Sequence, residues 1–186
     1  MNAARQNRPL HFDPFTDRLS RDIRNGLSQA FVGSLAANDA LIYHQVARKW
    51  LSSSLPSFYK AYIRERLKRY DRIMAAGAPR SGLQPYAIAL LIWNRGLFFE
   101  FHEHLETIWQ HTSGDQHRAL MGLIKAAGVY VHLENQNRPA AQRLAPKARC
   151  QMEDNAHCLD FIANLEVLLA SLEQPKFPAP QLEYAG

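Results

Sequence analysis

Apolar residues recur every three to four positions along most of the 186-residue chain, which is the period of an amphipathic α-helix. Three such stretches occupy the first part of the chain. The first begins after Asp13, the second after Asn38 or Asp39, and the third after Pro56, all residue types that start helices. Apolar residues that alternate with period two, as they do in strands, are absent from the sequence. The pattern therefore predicts an all-α protein.

Further helical stretches follow in the second part of the chain. Pro85 opens one of them, Gly96 separates it from the next, and a Ser-Gly-Asp sequence precedes the third. Another begins at Pro139, and we expect Pro146 to kink or shorten it because proline cannot donate the helical hydrogen bond. The last apolar stretch spans residues 159–172, ahead of a proline-rich tail that is expected to be extended. The chain is thus predicted to form a compact bundle of about seven helices.

A stretch of small residues, Ala75–Gly82, has the composition of a linker and also marks a change in charge. Residues 1–80 contain 14 Lys+Arg and 6 Asp+Glu, a net charge of 14 − 6 = +8. Residues 81–186 contain 8 and 11, a net charge of 8 − 11 = −3. We therefore predict a basic N-terminal segment of three helices at residues 1–80 and a second helical unit at residues 81–186.

Composition excludes several classes of protein. Hydrophobic residues make up 47% and charged residues 21% of the chain, values typical of a globular domain. The longest apolar run, Tyr86–Trp93, is far shorter than the roughly 20 residues that a membrane-spanning helix needs. Cys150 and Cys158 are the only cysteines, too few for a disulfide framework or a four-cysteine zinc site. With no secretory leader visible, a reduced cytoplasmic protein is expected.

The segment from Asn94 to Trp109 contains the densest set of chemically active side chains. On a helical projection, His102 and Glu106 fall within the arc of the apolar residues, four residues apart. We therefore expect them to form a buried pair. The polar residues of the same helix that project outside this arc are expected to be solvated: Glu100, Glu103, His104 and Thr107.

Three interpretations of the pair remain open. His102 and Glu106 form a structural hydrogen bond, or they are two ligands of a divalent metal that a facing helix completes, or they are an acid/base dyad in a small pocket. The zinc-protease pattern fails, because it requires a second histidine at the position of Glu106. Partners are available in the next helix on a line of residues that faces either this pair or the solvent: Met121, Lys125, Gly128 and His132.

A second candidate site is a basic helix face in the N-terminal segment. Its four members are spaced four residues apart: Lys60, Arg64, Lys68 and Arg72. Together with Arg66 and Arg69 they suggest binding to nucleic acid or another anionic partner, although Glu65 and Asp71 dilute the positive charge. Charged helix faces are usually only solvated, so nucleic acid is the less favoured partner.

One longer motif resembles a known family. It reads Asn94-x-Gly96-x-x-Phe99-Glu100-x-His102-Glu103-x-x-Glu106-x-x-Trp109, followed by Gly122-Leu123-Ile124-Lys125-Ala126-Ala127 and Tyr130-x-His132-Leu133. This arrangement, within residues 85–150, resembles the bacterial family called domain of unknown function 309. Two departures are the glycine-free segment 136–141 and a lysine at position 125, where the family commonly shows glutamine.

The resemblance implies a compact helical unit, cytoplasmic and able to self-associate, with no established activity. The motif also looks like the turn between paired helices of tetratricopeptide-type proteins, which is an analogy of fold alone. The favoured expectation is a scaffold or interaction protein in which His102, Glu106 and Trp109 form an internal polar anchor. The alternative is a hydrolase-like enzyme with a pocket lined by Asn94, His102, Glu106, Trp109 and His132. No cofactor is predicted, and a divalent metal belongs to the alternative.

Overall fold

The computed structural model describes residues 11–77 and 84–186, and within these ranges the protein consists of helices joined by short turns. A single isolated bridge, Ile162 to Tyr184, is the only strand-like pairing in the described ranges. The prediction of an all-α protein is confirmed, with one α-helix more than the expected number in these ranges. The helices are α1 (Arg18–Ala37), α2 (Leu41–Leu51), α3 (Ser57–Ala75), α4 (Pro85–Asn94), α5 (Phe98–Trp109), α6 (Gly114–Glu134), α7 (Arg138–Asp154) and α8 (Leu165–Ser171), with a short 3-10 helix at Ala156–Cys158.

The first helix begins four residues later than the sequence predicts. Asp17 caps α1, because its carboxylate accepts hydrogen bonds from the backbone N–H groups of Leu19 and Ser20 at 3.3 and 2.8 Å. Asp13 instead holds the preceding turn, where it accepts from the N–H of Phe15 at 2.8 Å. Asp13 and Asp17 both offer a capping carboxylate, but Asp13 holds a turn, so the helix begins only after Asp17.

Two other helices differ from the prediction at their ends. Helix α7 continues through Pro146 to Asp154, so the expected shortening does not occur. Pro146 is exposed, which lets water hydrogen-bond the carbonyl that has lost its helical partner. Of the last predicted stretch, residues 159–172, only Leu165–Ser171 is α-helical.

Helix α6 packs extensively against both α5 and α7. Its contact with α7 is close at Gly122, where a Cβ atom would lie 3.1 Å from the backbone nitrogen of Met152 and 3.2 Å from the carbonyl oxygen of Ala148. The largest fully buried side chains are shared between the two parts of the chain, and they include Trp93, Tyr43, Tyr70, Tyr130 and Phe31.

The N-terminal helices pack on the rest of the protein, since α1 contacts α5 directly. Residues 78–83, which make up most of the predicted linker, lie outside the described residues, and the division into two segments stays a prediction. Within the described ranges, no helix combines the length and the apolar character that crossing a membrane requires.

The C-terminal tail, residues 172–186, forms no helix and is attached to the end of α4. The Trp93 indole N–H donates to the carbonyl of Pro180 at 2.8 Å. The Asn94 amide donates to the carbonyl of Leu182 at 2.7 Å and accepts from its N–H at 2.8 Å. Asn94 therefore has an architectural role, which is to fix the tail to the end of α4.

Candidate functional site

Helix α5 is positioned by a tight turn at Gly96. This residue has φ = +66°, a left-handed conformation that favours glycine. Its carbonyl oxygen accepts hydrogen bonds from Arg69 Nη1 at 3.1 Å and from Arg66 Nη1 at 3.3 Å, both on α3. The motif residue Gly96 therefore sets the direction in which α5 leaves α4, and it anchors that turn to the N-terminal helices.

The buried carboxylate of α5 is Glu100, which the sequence predicts to be solvated. Glu100 is fully buried, and its Oε1 accepts a 2.6 Å hydrogen bond from the hydroxyl of Tyr70. His104, also predicted to be solvated, is buried and bonds the carbonyl of Pro85 at 3.2 Å. Both predictions are wrong because helices cover α5 on several sides, so its buried arc is wider than its apolar stripe.

Arg66 balances the charge of Glu100. Its side chain is 5% exposed, its Nε lies 3.8 Å from Glu100 Oε1, and its Nη2 donates to Glu134 Oε1 at 2.9 Å. Burial alone would lower the pKa of Arg66, but Tyr62, Glu100 and Glu134 outweigh it and raise that pKa. Burial and the charge of Glu100 also raise the pKa of Tyr70, which keeps its hydroxyl protonated as a donor. Arg66 is therefore largely buried and engaged by Glu134 and Glu100, unlike the exposed members of the basic face.

The predicted contact between His102 and Glu106 exists, but the pair is not buried. His102 Nε2 lies 3.0 Å from Glu106 Oε1, and the two side chains are 30% and 41% exposed. The hydrogen bond follows from the spacing of four residues on one helix. The burial prediction is wrong because this side of α5 borders an open cleft and not a packed neighbour.

Glu103 joins this pair in a cluster that the sequence interpretation missed. One ligand atom each from His102, Glu103 and Glu106 lies within 4.8 Å of the other two. Burial raises the pKa of Glu103, and the charges of Glu106 and Glu100 add to this rise, while His102 and Arg24 oppose it. The signal in the sequence is that Glu106 follows His102 by four residues and Glu103 by three, so that both are its neighbours on the helix surface.

The cluster borders a cleft of about 390 Å³ between α1, α5, α6 and α7. His102 and Glu106 line it from α5, whereas Asn94 and Trp109 do not. The whole second line of α6 faces the pair and not the solvent edge: Met121, Lys125, Gly128 and His132. Trp109 instead donates from its indole N–H to the carbonyl of His117 at 3.1 Å and stacks on that imidazole.

His132 contributes a partly buried imidazole to the cleft. His132 lies against the ring of Phe15 at 4.6 Å, and its Nδ1 is buried with no hydrogen-bond partner among the described residues. Burial, and then the charge of Arg143, lowers the pKa of His132, which favours the neutral imidazole. His132 lines the cleft but is not part of the cluster of ligand atoms on α5.

The basic face of α3 lies where the sequence places it. Arg64, Lys68 and Arg72 are exposed, and Lys60 is partly exposed. The two acidic residues within it are already engaged. Glu65 pairs with Arg69 at 3.1 Å, and Asp71 accepts hydrogen bonds from the side chains of Tyr43 and His44. Binding of nucleic acid or another anionic partner to this face stays a prediction.

Comparison with known proteins covers the central third of the chain. Residues 86–144 match the family described as domain of unknown function (DUF309), as the motif predicts. No curated protein and no solved structure matches the chain. The matched segment runs from the start of α4 into α7 and contains the cluster on α5 and the line of residues on α6 that faces it. Residues 86–144 are therefore similar to the DUF309 family, and we refer to them as the DUF309 segment.

Proposed function

We propose that the cleft is a metal-dependent ligand-binding site in which His102, Glu103 and Glu106 hold one divalent cation. The observation that carries this proposal is the cluster of their three ligand atoms within 4.8 Å, at the border of a cleft. Imidazole and carboxylate groups are the donors that zinc, manganese and iron take in proteins.

The geometry requires only small rotations of side chains. Ligand atoms about 2.1 Å from one metal ion lie roughly 3 to 3.5 Å from each other in tetrahedral or octahedral arrangements. The His102–Glu106 hydrogen bond, at 3.0 Å, already has this spacing. A cation would also offset the repulsion between the carboxylates of Glu103 and Glu106, which share a partly buried turn.

Three protein ligands leave coordination positions for water and for a bound molecule, the arrangement found in catalytic metal sites. A zinc ion held by His102, Glu103 and Glu106 would lower the pKa of a coordinated water to about 7, which is the chemistry that supports hydrolysis. The cleft gives a substrate access to this position, because His102 and Glu106 are partly exposed.

A scaffold without a ligand is the competing function, and it was the favoured expectation from sequence. It depended on His102 and Glu106 as an internal polar anchor, and their exposure removes that support. As a surface hydrogen bond, the pair would contribute little to stability. A partner-binding scaffold does not require the cluster to bind metal, so a cluster without affinity for metal would favour the scaffold.

The test is the metal content of the purified protein after incubation with Zn²⁺ or Mn²⁺ and removal of free ions. We expect about one equivalent per chain, the occupancy of a single site. The variants His102→Ala and Glu103→Gln should lose most of it. The matched controls His111→Ala and Glu166→Gln, which change exposed residues outside the cluster, should retain it. Equal metal content in all five proteins would exclude the cluster as the site.

A further inference from the structure

Two cations line the cleft without a carboxylate partner. Among the described residues, neither Arg24 nor Lys125 is within ion-pair distance of an acidic side chain. Arg24 donates from Nε and Nη2 to the amide oxygen of Asn25 at 3.2 and 3.0 Å. Lys125 donates to the amide oxygen of Gln151 at 2.5 Å. Both positive charges are therefore hydrogen-bonded to neutral groups, although the nearby charges of Glu100 and Glu103 reduce the attraction of Arg24 for a further anion.

Arg24 is also partly withdrawn from water. Its guanidinium lies 3.8 Å from the centre of the Phe99 ring, over its face, and burial lowers its pKa. A cation in this position gains more from an anionic ligand than a fully solvated one does, because part of its desolvation has already occurred in the free protein. Lys125 provides the second positive charge of the cleft, from α6.

The remaining lining is mainly apolar. It comes from four different parts of the chain and includes Phe15, Met121, Ile124, Val131 and Leu144. Lys125 and His132 are seven residues apart on α6, which separates them by roughly 10 Å along the cleft. Gly128 lies between them and adds no side chain to the wall. The cleft can therefore take an apolar body of several carbon atoms beside a charged end.

We propose that the ligand of this cleft is an organic acid with an apolar body, whose carboxylate binds the side chains of Lys125 and Arg24. The proposal rests on the proposed function for the metal ion, which would take part in holding the same carboxylate. Phosphate groups are usually bound by several backbone N–H groups or a helix N-terminus. Here the donors are two separate side chains, which suits a carboxylate better.

Part of the proposed binding site for this organic acid lies outside the DUF309 segment. Phe15 and Arg24 belong to the N-terminal part of the chain, whereas Lys125 lies within residues 86–144. The N-terminal helices thus complete the cleft and supply one of its two charges. This gives α1 and the turn before it a role in ligand recognition in addition to the packing of α1 on α5.

The test uses octanoate as the probe, with 1-octanol and octylammonium as neutral and cationic molecules of the same length. Binding is measured by calorimetry with the full chain, once loaded with Zn²⁺ and once free of metal. We expect octanoate to bind about tenfold or more tightly than octanol, the effect of one charge-assisted hydrogen bond. Octylammonium should not bind.

Two variants test whether the side chains of Lys125 and Arg24 bind the carboxylate of the probe. Lys125→Gln and Arg24→Gln should each weaken octanoate binding about tenfold and leave the binding of octanol unchanged. Lys147→Gln, an exposed residue of α7, is the control and should bind as the natural protein does. Metal content is measured in parallel, and neither variant should change it.

The outcomes separate the two proposals. Metal binding with equal affinity for octanoate and octanol would overturn the organic-acid ligand and leave the metal site standing. Octanoate binding that depends on Lys125 in a protein that binds no metal would support the organic-acid ligand and overturn the metal site. Failure of all three probes to bind would overturn the organic-acid ligand.

Discussion

At the scale of single residues, the deepest polar contact joins the two parts of the chain. Glu100 on α5 is fully buried, and Tyr70 and Arg66 on α3 are its partners. A buried carboxylate is costly unless such partners satisfy it, and removing one of them leaves the others without compensation. One oxygen of Glu100, Oε2, has no hydrogen-bond partner among the described residues. The stability of the buried carboxylate therefore depends strongly on the hydrogen bond from Tyr70 to the other oxygen, Oε1.

Tyr70→Phe tests this bond. The ring stays in place, but Glu100 loses its 2.6 Å hydrogen bond. We expect the free energy of unfolding to fall by about 1–3 kcal/mol, the cost of leaving a buried acceptor unsatisfied. The measurement is urea denaturation followed by circular dichroism. Tyr86→Phe is the control, since it loses an exposed hydrogen bond from Gln116, and it should change stability by less than about 0.5 kcal/mol. Equal stability of Tyr70→Phe and the natural protein would contradict the role given to Glu100.

The sequence predicts contacts within one helical turn better than it predicts burial. His102 and Glu106 meet as expected, because their contact depends only on a spacing of four residues. Their exposure and the burial of Glu100 depend on where α1, α4 and α6 pack around α5 and on where α3 places Tyr70. That packing joins residues far apart in the chain, and no local pattern encodes it.

At the scale of elements, the contact between α6 and α7 depends on a small residue. Gly122 lets the two helices approach until backbone atoms of Ala148 and Met152 occupy the space of a missing Cβ. Backbone atoms cannot rotate away as the end of a side chain can. The position of α7, and with it Leu144 in the wall of the cleft, therefore follows from Gly122.

Gly122→Ala should destabilise the protein by about 1–3 kcal/mol, because the added methyl group forces the two helices apart. Thermal unfolding measures the effect. Gly33→Ala in α1 is the matched control, since its Cβ would have no heavy atom within 4 Å. That variant should be more stable than the natural protein by about 0.5–1 kcal/mol, the usual gain from replacing a helical glycine. A stable Gly122→Ala variant would mean that α7 can move at little cost.

Most helices are predicted by apolar periodicity, and the errors concentrate at their ends. Asp13 and Asp17 are equivalent as capping residues in the sequence, and only the turn before α1 distinguishes them. Pro146 is tolerated because it lies on the exposed side of α7, which depends on how that helix packs. Helix ends are set by such tertiary contacts more than by local composition.

At the scale of the whole molecule, the parts of the chain before and after the DUF309 segment both contact it. The N-terminal helices bring Arg66 to Glu100 and Arg24 to the cleft. The C-terminal tail lies on α4 through two hydrogen bonds to Asn94 and one from Trp93. The sequence predicts an extended tail, but its attachment pairs residues 88 positions apart and was not predictable.

Asn94→Ala tests the attachment of the tail. The variant loses both hydrogen bonds to Leu182, so we expect faster amide hydrogen exchange in residues 175–186. Exchange in α6 should stay the same and serves as the internal control. An unchanged exchange rate in the tail would show that Trp93 and the apolar contacts hold it without Asn94.

The central claim is that His102, Glu103 and Glu106 hold a cation at the border of the cleft. The most direct measurement is anomalous diffraction from a crystal of the protein loaded with Zn²⁺. We expect one strong peak about 2.0–2.2 Å from a ring nitrogen of His102 and from oxygens of both glutamates, with the His102–Glu106 hydrogen bond replaced by coordination. A map without a peak there, in which His102 still bonds Glu106, would contradict the claim.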